Sequence, residues 1–268
     1  MLTIKMAKRF ANFKANHLKT NKKLKVSHSD QVDFIPNNIS MSTDFEVIIP
    51  YLYNNYKLFG KAFNFPKVAF KSQFYPIFGD KSTVEERLQN ALSKGVVKIF
   101  QTSLGTGQFC VMLTEDYLTD IKDLHKKRNG EKEFSRALRI FIEKVVPNCS
   151  DISVEKEFMS KYHIKDEEIT ELIRFGVLTV KDFNQWWLAV PRVGGLIMSL
   201  TEGRKSIINI VKKSKHQEIN CNELLKRKCP KNAKLGMTYL LLDLIGSNIL
   251  TLIDSTTGKI IRVSKRNF

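Results

Sequence analysis

A helix-to-strand pattern recurs in this chain, and its spacing limits what the chain can fold into. The pattern L-x-x-A-L-x-x-G-V at residues 88–96 returns 81 residues later as I-x-x-L-I-x-x-G-V at residues 169–177. A weaker copy runs from Leu240 to Gly246 and precedes the apolar runs within residues 250–263. Each copy indicates an amphipathic helix that ends at a glycine before a strand. Because spacings of 70 to 81 residues suit one small domain each, we expect a repeated small domain.

The elements around the first copy have the order of a winged helix, which is three helices followed by a hairpin. Apolar residues at helical spacing from Phe45 to Tyr56 predict the first helix, and Pro66 is expected to open the second. A capping box at residues 82–85 predicts the start of the third helix, which Gly95 would end. The hairpin is expected to pair residues 96–102 with residues 108–113.

The later copies support the same arrangement. Residues 177–180 and 185–189 would form the hairpin of the second copy, and residues 250–253 and 259–263 that of the third. The predicted fold class is therefore mainly α with β hairpins (α+β), in three tandem winged-helix domains. The predicted domains are a flexible basic N-terminal arm over 1–42 and winged helices over 43–116, 117–191 and 192–268.

Two short segments carry nearly all of the excess positive charge. Residues 1–29 contain eight Lys/Arg and no acid, and residues 203–234 contain ten against Glu218 and Glu223. Each segment supplies +8 of the total +17. Cations this crowded repel one another unless a polyanion neutralises them, so nucleic acid is the first partner to consider. A merely solvated charged helix face would show both signs.

The third predicted domain has the charge pattern of a phosphate-binding surface. On a helix over about residues 196–215, the polar residues Lys205, Asn209, Lys212 and Lys213 lie opposite the apolar residues Ile207, Ile210 and Val211. The candidate DNA-binding residues are Arg204, Lys205, Lys212, Lys213, Lys215, Arg227 and Lys228. If six or seven cations contact phosphate, log affinity should fall with log salt at a slope of about −5 to −6. The third helices of the first two domains begin with acids, which phosphate repels, and those domains are expected to bind protein or each other.

Signals for chemistry are missing from the sequence. The chain contains no glycine-rich phosphate loop, no H-R-D motif and no D-F-G motif. Its four cysteines have no metal-site spacing with each other or with histidine, and we interpret them as reduced intracellular thiols. We therefore expect no catalytic residue, no metal and no cofactor. No stretch reaches the ~20 apolar residues of a membrane span, so we expect a soluble protein with no membrane partner.

The basic N-terminal arm allows several interpretations. The pairs Lys8-Arg9 and Lys22-Lys23 suit a nuclear localisation signal or a loose nucleic-acid-binding arm. An acid-free basic N-terminus could also be a mitochondrial presequence. A solvated tail without a role is the remaining alternative.

The sequence closely resembles the serine/threonine-protein kinase 19 family over about residues 66–263. The motifs that carry the resemblance are G-V-L-T-V-K-D at 176–182, W-W-L-A-V-P at 186–191, G-R at 203–204, V-K-K-S-K at 211–215, L-G-M-T-Y at 235–239, D-L-I-G at 243–246 and S-T-T-G at 255–258. The arm before about residue 42 does not align.

The resemblance implies a function that the family name does not express. It implies a nuclear protein of three winged helices that binds double-stranded DNA, can form a homodimer and assists transcription-coupled nucleotide excision repair. Its partners would be repair proteins and stalled RNA polymerase II. The family's DNA-contacting positions would fall on Arg204, Lys212, Lys213, Lys215, Arg227 and Lys228, while Lys205 is added from the charge pattern. A cytoplasmic pool, RNA as the nucleic acid, a protein kinase and a protein-only scaffold remain alternatives.

Overall fold

The structure is a computed structural model that describes residues 44–57, 65–104, 108–228, 231, 235–256 and 258–264. The predicted arm over 1–42 lies outside these residues. The described residues belong to one compact unit. This unit combines helices with three small antiparallel sheets of three strands each, which confirms the α+β class.

The first repeat contains three helices and a sheet. Its elements are α1 (Phe45–Lys57), β1 (Ala69–Phe70), α2 (Lys71–Phe78), α3 (Lys81–Ser93), β2 (Val97–Gln101) and β3 (Phe109–Leu113). The last strand lies in the middle of the sheet, in the order β1-β3-β2. Helix α4 (Thr114–Asn129) follows this repeat and leads to the next.

The second repeat has the same order of elements. It opens with α5 (Arg136–Ile140), which continues through a π-helical turn (Phe141–Val145) into α6 (Val146–Asn148). The elements β4 (Ser153–Glu155), α7 (Lys156–Lys161), α8 (Asp166–Phe175), β5 (Leu178–Asp182) and β6 (Gln185–Leu188) follow. The strand order β4-β6-β5 again places the last strand in the middle.

The third repeat begins with the longest described helix, α9 (Val193–Lys213), and a 3-10 turn (Lys215–Gln217). Its other elements are β7 (Glu218–Asn220), α10 (Cys221–Lys226), α11 (Met237–Gly246), β8 (Leu250–Ser255) and β9 (Gly258–Val263). The sheet has the order β7-β9-β8. Each repeat therefore runs helix, strand, helix, helix, strand, strand.

Local sequence signals explain why these elements form where they do. Val84, Leu88 and Leu92 lie on one face of α3 and are buried, as their spacing predicts. Gly95 and Gly176 follow α3 and α8 with positive φ angles of 70° and 95°, a conformation that glycine adopts without a steric penalty. The predicted pairing of the hairpin strands is confirmed in all three repeats.

Two predicted helix starts are wrong. Pro66 does not open α2, because residues 69–70 instead pair with Val111 and Cys110 of β3 and the helix begins at Lys71. The cap of α3 is Asp80 rather than Ser82, since the Asp80 carboxylate accepts a 2.9 Å hydrogen bond from the Thr83 amide. This hydrogen bond and a second one from the Thr83 hydroxyl lower the pKa of Asp80 from its ordinary value.

Helix α11 lies between α9 and α2 and joins the third repeat to the first. A Cβ atom added to Gly203 of α9 would lie 2.7 Å from the Leu240 side chain of α11. At the far end of α11, a Cβ atom added to Gly246 would lie 1.7 Å from the Ser72 carbonyl oxygen of α2. Both helix pairs therefore approach closely at a glycine. Residues 237, 239–244 and 246 of α11 are buried as a result.

Candidate nucleic-acid interface

Helix α9 has one cationic face and one packed face. Lys205, Lys212 and Lys213 are exposed, whereas Ile207 and Val211 are buried. The separation follows from the helical repeat of 3.6 residues, which brings residues three, four and seven apart to the same side. Of the four predicted cations on α9, these three lysines are the exposed ones. Lys205 and Lys212 are about 10 Å apart along the helix axis, from the rise of 1.5 Å per residue.

Further cations lie just beyond the ends of α9 and α10. Lys215 is exposed in the 3-10 turn, and Arg227 and Lys228 are exposed after the last residue of α10. Helix α9 was predicted to reach Lys215 but ends at Lys213. Since α9 and α10 both pack against β9, their cations belong to elements that share one sheet. The backbone carbonyls at the C-terminal end of a helix carry a partial negative charge, which stabilises nearby cations such as these.

Arg227 has an internal partner that a ligand could replace. Its Nη2 atom donates a 2.6 Å hydrogen bond to Glu223 Oε1, one helical turn earlier. About half of each side chain is exposed, 46% for Arg227 and 57% for Glu223. Exposed pairs of this kind contribute less than about 1 kcal/mol, so exchange of the carboxylate for a phosphate costs little.

Arg204 is placed differently from the other predicted contacts. Its Nε and Nη2 atoms donate hydrogen bonds of 2.6 and 2.8 Å to the two carboxylate oxygens of Asp243 in α11. The Asp243 side chain is fully buried, and only 14% of the Arg204 side chain is exposed. Arg204 therefore lies in the contact between α9 and α11 rather than on the cationic face. Its role as a DNA contact stays a prediction.

Sequence reasoning missed Asp243 as a functional residue, although the sequence contains a signal for it. Asp243 is the single acid in the apolar run from Leu240 to Ile245. A carboxylate in a helix that is otherwise apolar on all sides must be buried, and a buried carboxylate requires a cationic or hydrogen-bonding partner. The signal does not identify the partner, because Arg204 lies 39 positions earlier in the chain.

The burial of α11 restricts how the third repeat can meet a duplex. By order in the repeat α11 is the third helix, the one that enters the major groove in many winged-helix complexes. Its residues 240–244 are all 0% exposed. Among the described residues of this repeat, exposed side chains lie instead on α9, the 3-10 turn, the end of α10 and the β8-β9 hairpin. These elements can reach phosphates without placing a helix against base edges.

The equivalent helices of the first two repeats carry acids that form ion pairs. In the first repeat Glu85 accepts from Lys71 at 2.7 Å. In the second repeat Asp166 pairs with Lys156 at 2.8 Å and Glu168 with Arg136 at 2.5 Å. The Arg136 guanidinium lowers the pKa of Glu168, with a further contribution from the Lys165 amide. Negative side chains at these helices disfavour contact with phosphate, in agreement with the sequence analysis.

Other classes of site are not found in the part of the chain that the structure describes. Cys110, Cys149 and Cys221 are buried, free thiols. No group of three or more metal-ligating side chains occurs among the described residues. No described helix combines the length and apolar character needed to cross a bilayer.

Comparisons with known proteins identify relatives across most of the chain. Residues 56–263 match the family model described as inactive serine-threonine protein kinase 19. The chain is 33% identical to winged helix repair factor 1 of Homo sapiens over 199 residues, which cover 74% of this chain and 77% of the relative. The protein of the same name from Xenopus laevis is 31% identical over 208 residues, covering 76% and 78%. The chain therefore belongs to the inactive serine-threonine protein kinase 19 family.

Proposed function

We propose that this protein is a non-enzymatic DNA-repair factor of three tandem winged-helix domains, and that its third repeat holds double-stranded DNA. One observation carries the proposal: α9 exposes Lys205, Lys212 and Lys213 on one side while its opposite side is packed. A rigid row of cations on a helix surface is complementary to the phosphates of a duplex. The name of the relatives, winged helix repair factor 1, supports both the fold and the repair role.

The proposed binding is largely independent of base sequence. Phosphate contacts carry no sequence information, and base readout in the major groove requires an element that reaches base edges. Because α11 is buried between α9 and α2, the third repeat has no free third helix for that purpose. Lysines as point charges suit this kind of contact, while the Arg227 guanidinium can exchange Glu223 for a phosphate.

The first two repeats are proposed to bind repair proteins while the third repeat holds DNA. The exposed acids of the first two repeats would repel the DNA that the third repeat holds. Protein binding and DNA binding are therefore proposed to use different faces of the molecule. In this role the protein positions DNA and repair proteins at stalled RNA polymerase II in the nucleus, in transcription-coupled nucleotide excision repair. A prediction in cells is that loss of the protein delays the recovery of transcription after ultraviolet damage.

A salt-titrated binding assay tests the DNA-binding proposal. Six exposed cations are expected to contact phosphate: Lys205, Lys212, Lys213, Lys215, Arg227 and Lys228. The slope of log affinity against log salt should then be about −5 for duplex DNA. Unrelated duplex sequences should bind within about threefold of each other, because the interface lacks base contacts. A slope near zero would remove the proposal, and a clear preference for RNA would reassign the partner.

Charge reversal distinguishes DNA binding from a protein-only scaffold. Replacing Lys212, Arg227 and Lys228 by Glu should abolish duplex binding, since phosphate contacts become repulsive. The matched control replaces three exposed cations elsewhere by Glu: Lys122 of α4, Lys132 of the following loop and Arg139 of α5. Both triple variants change the net charge equally, so the control should retain most of the affinity. A scaffold would show negligible DNA affinity in the wild-type protein as well as in both variants.

A further inference from the structure

Asp243 of α11 connects the cationic helix α9 to the first repeat. Its Oδ1 atom accepts a 2.7 Å hydrogen bond from the Ser72 hydroxyl of α2 and a 2.8 Å bond from Arg204 Nη2. Its Oδ2 atom accepts the 2.6 Å bond from Arg204 Nε. One buried carboxylate thus holds a side chain from each of two repeats.

We propose that Arg204 is a positioning residue for DNA binding: through Asp243 and Ser72 it fixes the cationic face of α9 relative to the first repeat, without contacting DNA itself. The inference rests on the proposed function, because it concerns the same surface. It separates Arg204 from the six exposed cations with which the charge pattern had grouped it.

The geometry of the pair explains how Arg204 can orient a helix. A guanidinium that donates two parallel hydrogen bonds to one carboxylate is fixed in direction as well as in distance. Arg204 precedes Lys205 by one residue, a rotation of about 100° around the helix axis, so one side chain points to α11 and the other to solvent. Holding Arg204 therefore sets the direction in which Lys205 and, two turns later, Lys212 project.

The surrounding contacts make this position rigid. Gly203, next to Arg204, allows α9 to approach Leu240 of α11 closely. On the other side of α11, the Tyr239 hydroxyl donates a 3.1 Å hydrogen bond to the Val68 carbonyl oxygen. Gln73 donates a 2.9 Å bond to the Tyr239 carbonyl oxygen. The three helices are therefore joined by buried polar bonds as well as by apolar packing, and such networks resist small rearrangements.

A direct contact between Arg204 and phosphate would disrupt this arrangement. Transfer of the guanidinium to DNA would remove both Arg204 hydrogen bonds from the Asp243 carboxylate, which is 0% exposed, and leave the bond from Ser72. An uncompensated buried charge is strongly destabilising, so the pair should persist in the complex. A substitution at Ser72 in the first repeat should consequently change the affinity of the third repeat for duplex DNA.

Asp243→Asn separates the two roles of Arg204. The substitution keeps the shape of the side chain, removes a negative charge and weakens the hold on Arg204. If Arg204 positions α9, duplex affinity falls by about three- to thirtyfold in folded protein, the range typical of coupling through such networks. If Arg204 contacts phosphate, affinity rises or stays the same, since a cation has been freed and the net charge is more positive.

The salt dependence provides a second, independent measurement. Arg204→Ala should lower the affinity without changing the salt slope, because no phosphate contact is lost. Lys212→Ala is the matched comparison, and it should reduce the magnitude of the slope by about 0.9. A slope for Arg204→Ala that is reduced as much as that of Lys212→Ala would overturn the inference. Each affinity is measured after circular dichroism has shown the variant to be folded at the assay temperature.

A double variant covers the case in which the single variants do not fold. Arg204→Met combined with Asp243→Leu replaces the buried pair by apolar side chains of similar size, an exchange that is often neutral for stability. The inference predicts that this variant keeps the wild-type salt slope, because no phosphate contact is lost. A slope reduced by about 0.9, as expected for Lys212→Ala, would contradict it. If wild-type protein itself binds no duplex, both the proposed function and this inference fail, whereas unchanged binding by Asp243→Asn refutes the inference alone.

Discussion

Gly246→Ala should destabilise the protein severely, because the added methyl group would overlap the backbone of a neighbouring helix. The new Cβ atom would lie 1.7 Å from the Ser72 carbonyl oxygen and 2.6 Å from its carbon. Carbon and carbonyl oxygen atoms are normally at least about 3.3 Å apart. Helices α2 and α11 would therefore have to separate by roughly 1.6 Å, a gap that removes much of the dispersion attraction across their contact.

The expected loss is about 3 kcal/mol or more, at the upper end of what overpacking costs. For a chain of this size, that loss lowers the melting temperature by about 6 to 12 °C. Thermal unfolding followed by circular dichroism, with urea titration for the midpoint, measures both quantities. A change of less than about 0.5 kcal/mol would show that α2 and α11 do not approach each other as described.

Two other helical glycines serve as controls for the Gly246→Ala variant. An added Cβ atom at Gly203 would meet the ends of the Leu240 side chain at 2.7 and 2.8 Å, and a side chain can rotate where a backbone cannot. Gly203→Ala should therefore destabilise by only about 1 kcal/mol, after the gain in helix propensity. Nothing lies within 4 Å of an added Cβ atom at Gly194, so Gly194→Ala should stabilise by about 0.5 kcal/mol.

Three further outcomes follow from individual side chains. Hydrogen bonds from Thr83 lower the pKa of Asp80 from 3.8 in the folded protein. The stability advantage of wild type over Asp80→Ala should therefore be fully present above about pH 4 and should disappear as the pH falls through the lowered pKa of Asp80. Urea unfolding midpoints measured across this pH range test the prediction. Burial raises the pKa of Cys110 to about 12, so iodoacetamide should label Cys110 only after unfolding, as judged by peptide mass mapping; labelling of the native protein would contradict its burial. Phe183 is 87% exposed at the tip of the β5-β6 hairpin, and Phe183→Ser should shift the unfolding midpoint by less than the equivalent of about 0.5 kcal/mol.

The sequence predicts elements whose signals are local. The spacing of Val84, Leu88 and Leu92, with Gly95 after it, is enough to locate α3 and the start of β2, because helix periodicity and a left-handed turn depend on neighbouring residues. The hairpins are found for the same reason. The short strands β1, β4 and β7 are missed, since two or three residues have no periodicity and become strands only by pairing with a distant partner.

The candidate site is predictable only in part, for a related reason. Charge counting identifies Lys212 and Lys213 as members of one cationic helix face, because both the charges and the helix repeat are visible in the sequence. It assigns Arg204 to the same set, but the orientation of that side chain depends on Asp243 in another helix. Pairing across 39 positions, like the docking of α11 on α2, is decided by tertiary packing, which one sequence does not display.

Because α11 packs on both α9 and α2, residue 192 is not a point at which the chain can be divided into independently folding pieces. A polypeptide of residues 192–268 would lack Val68 and Phe70, against which Tyr239 is buried, and would lack the Ser72 donor to Asp243. Its newly exposed apolar surface would favour aggregation. Mapping of activities by truncation would therefore report lost folding as lost binding, and point substitutions on the intact chain are the sound route to separate the two.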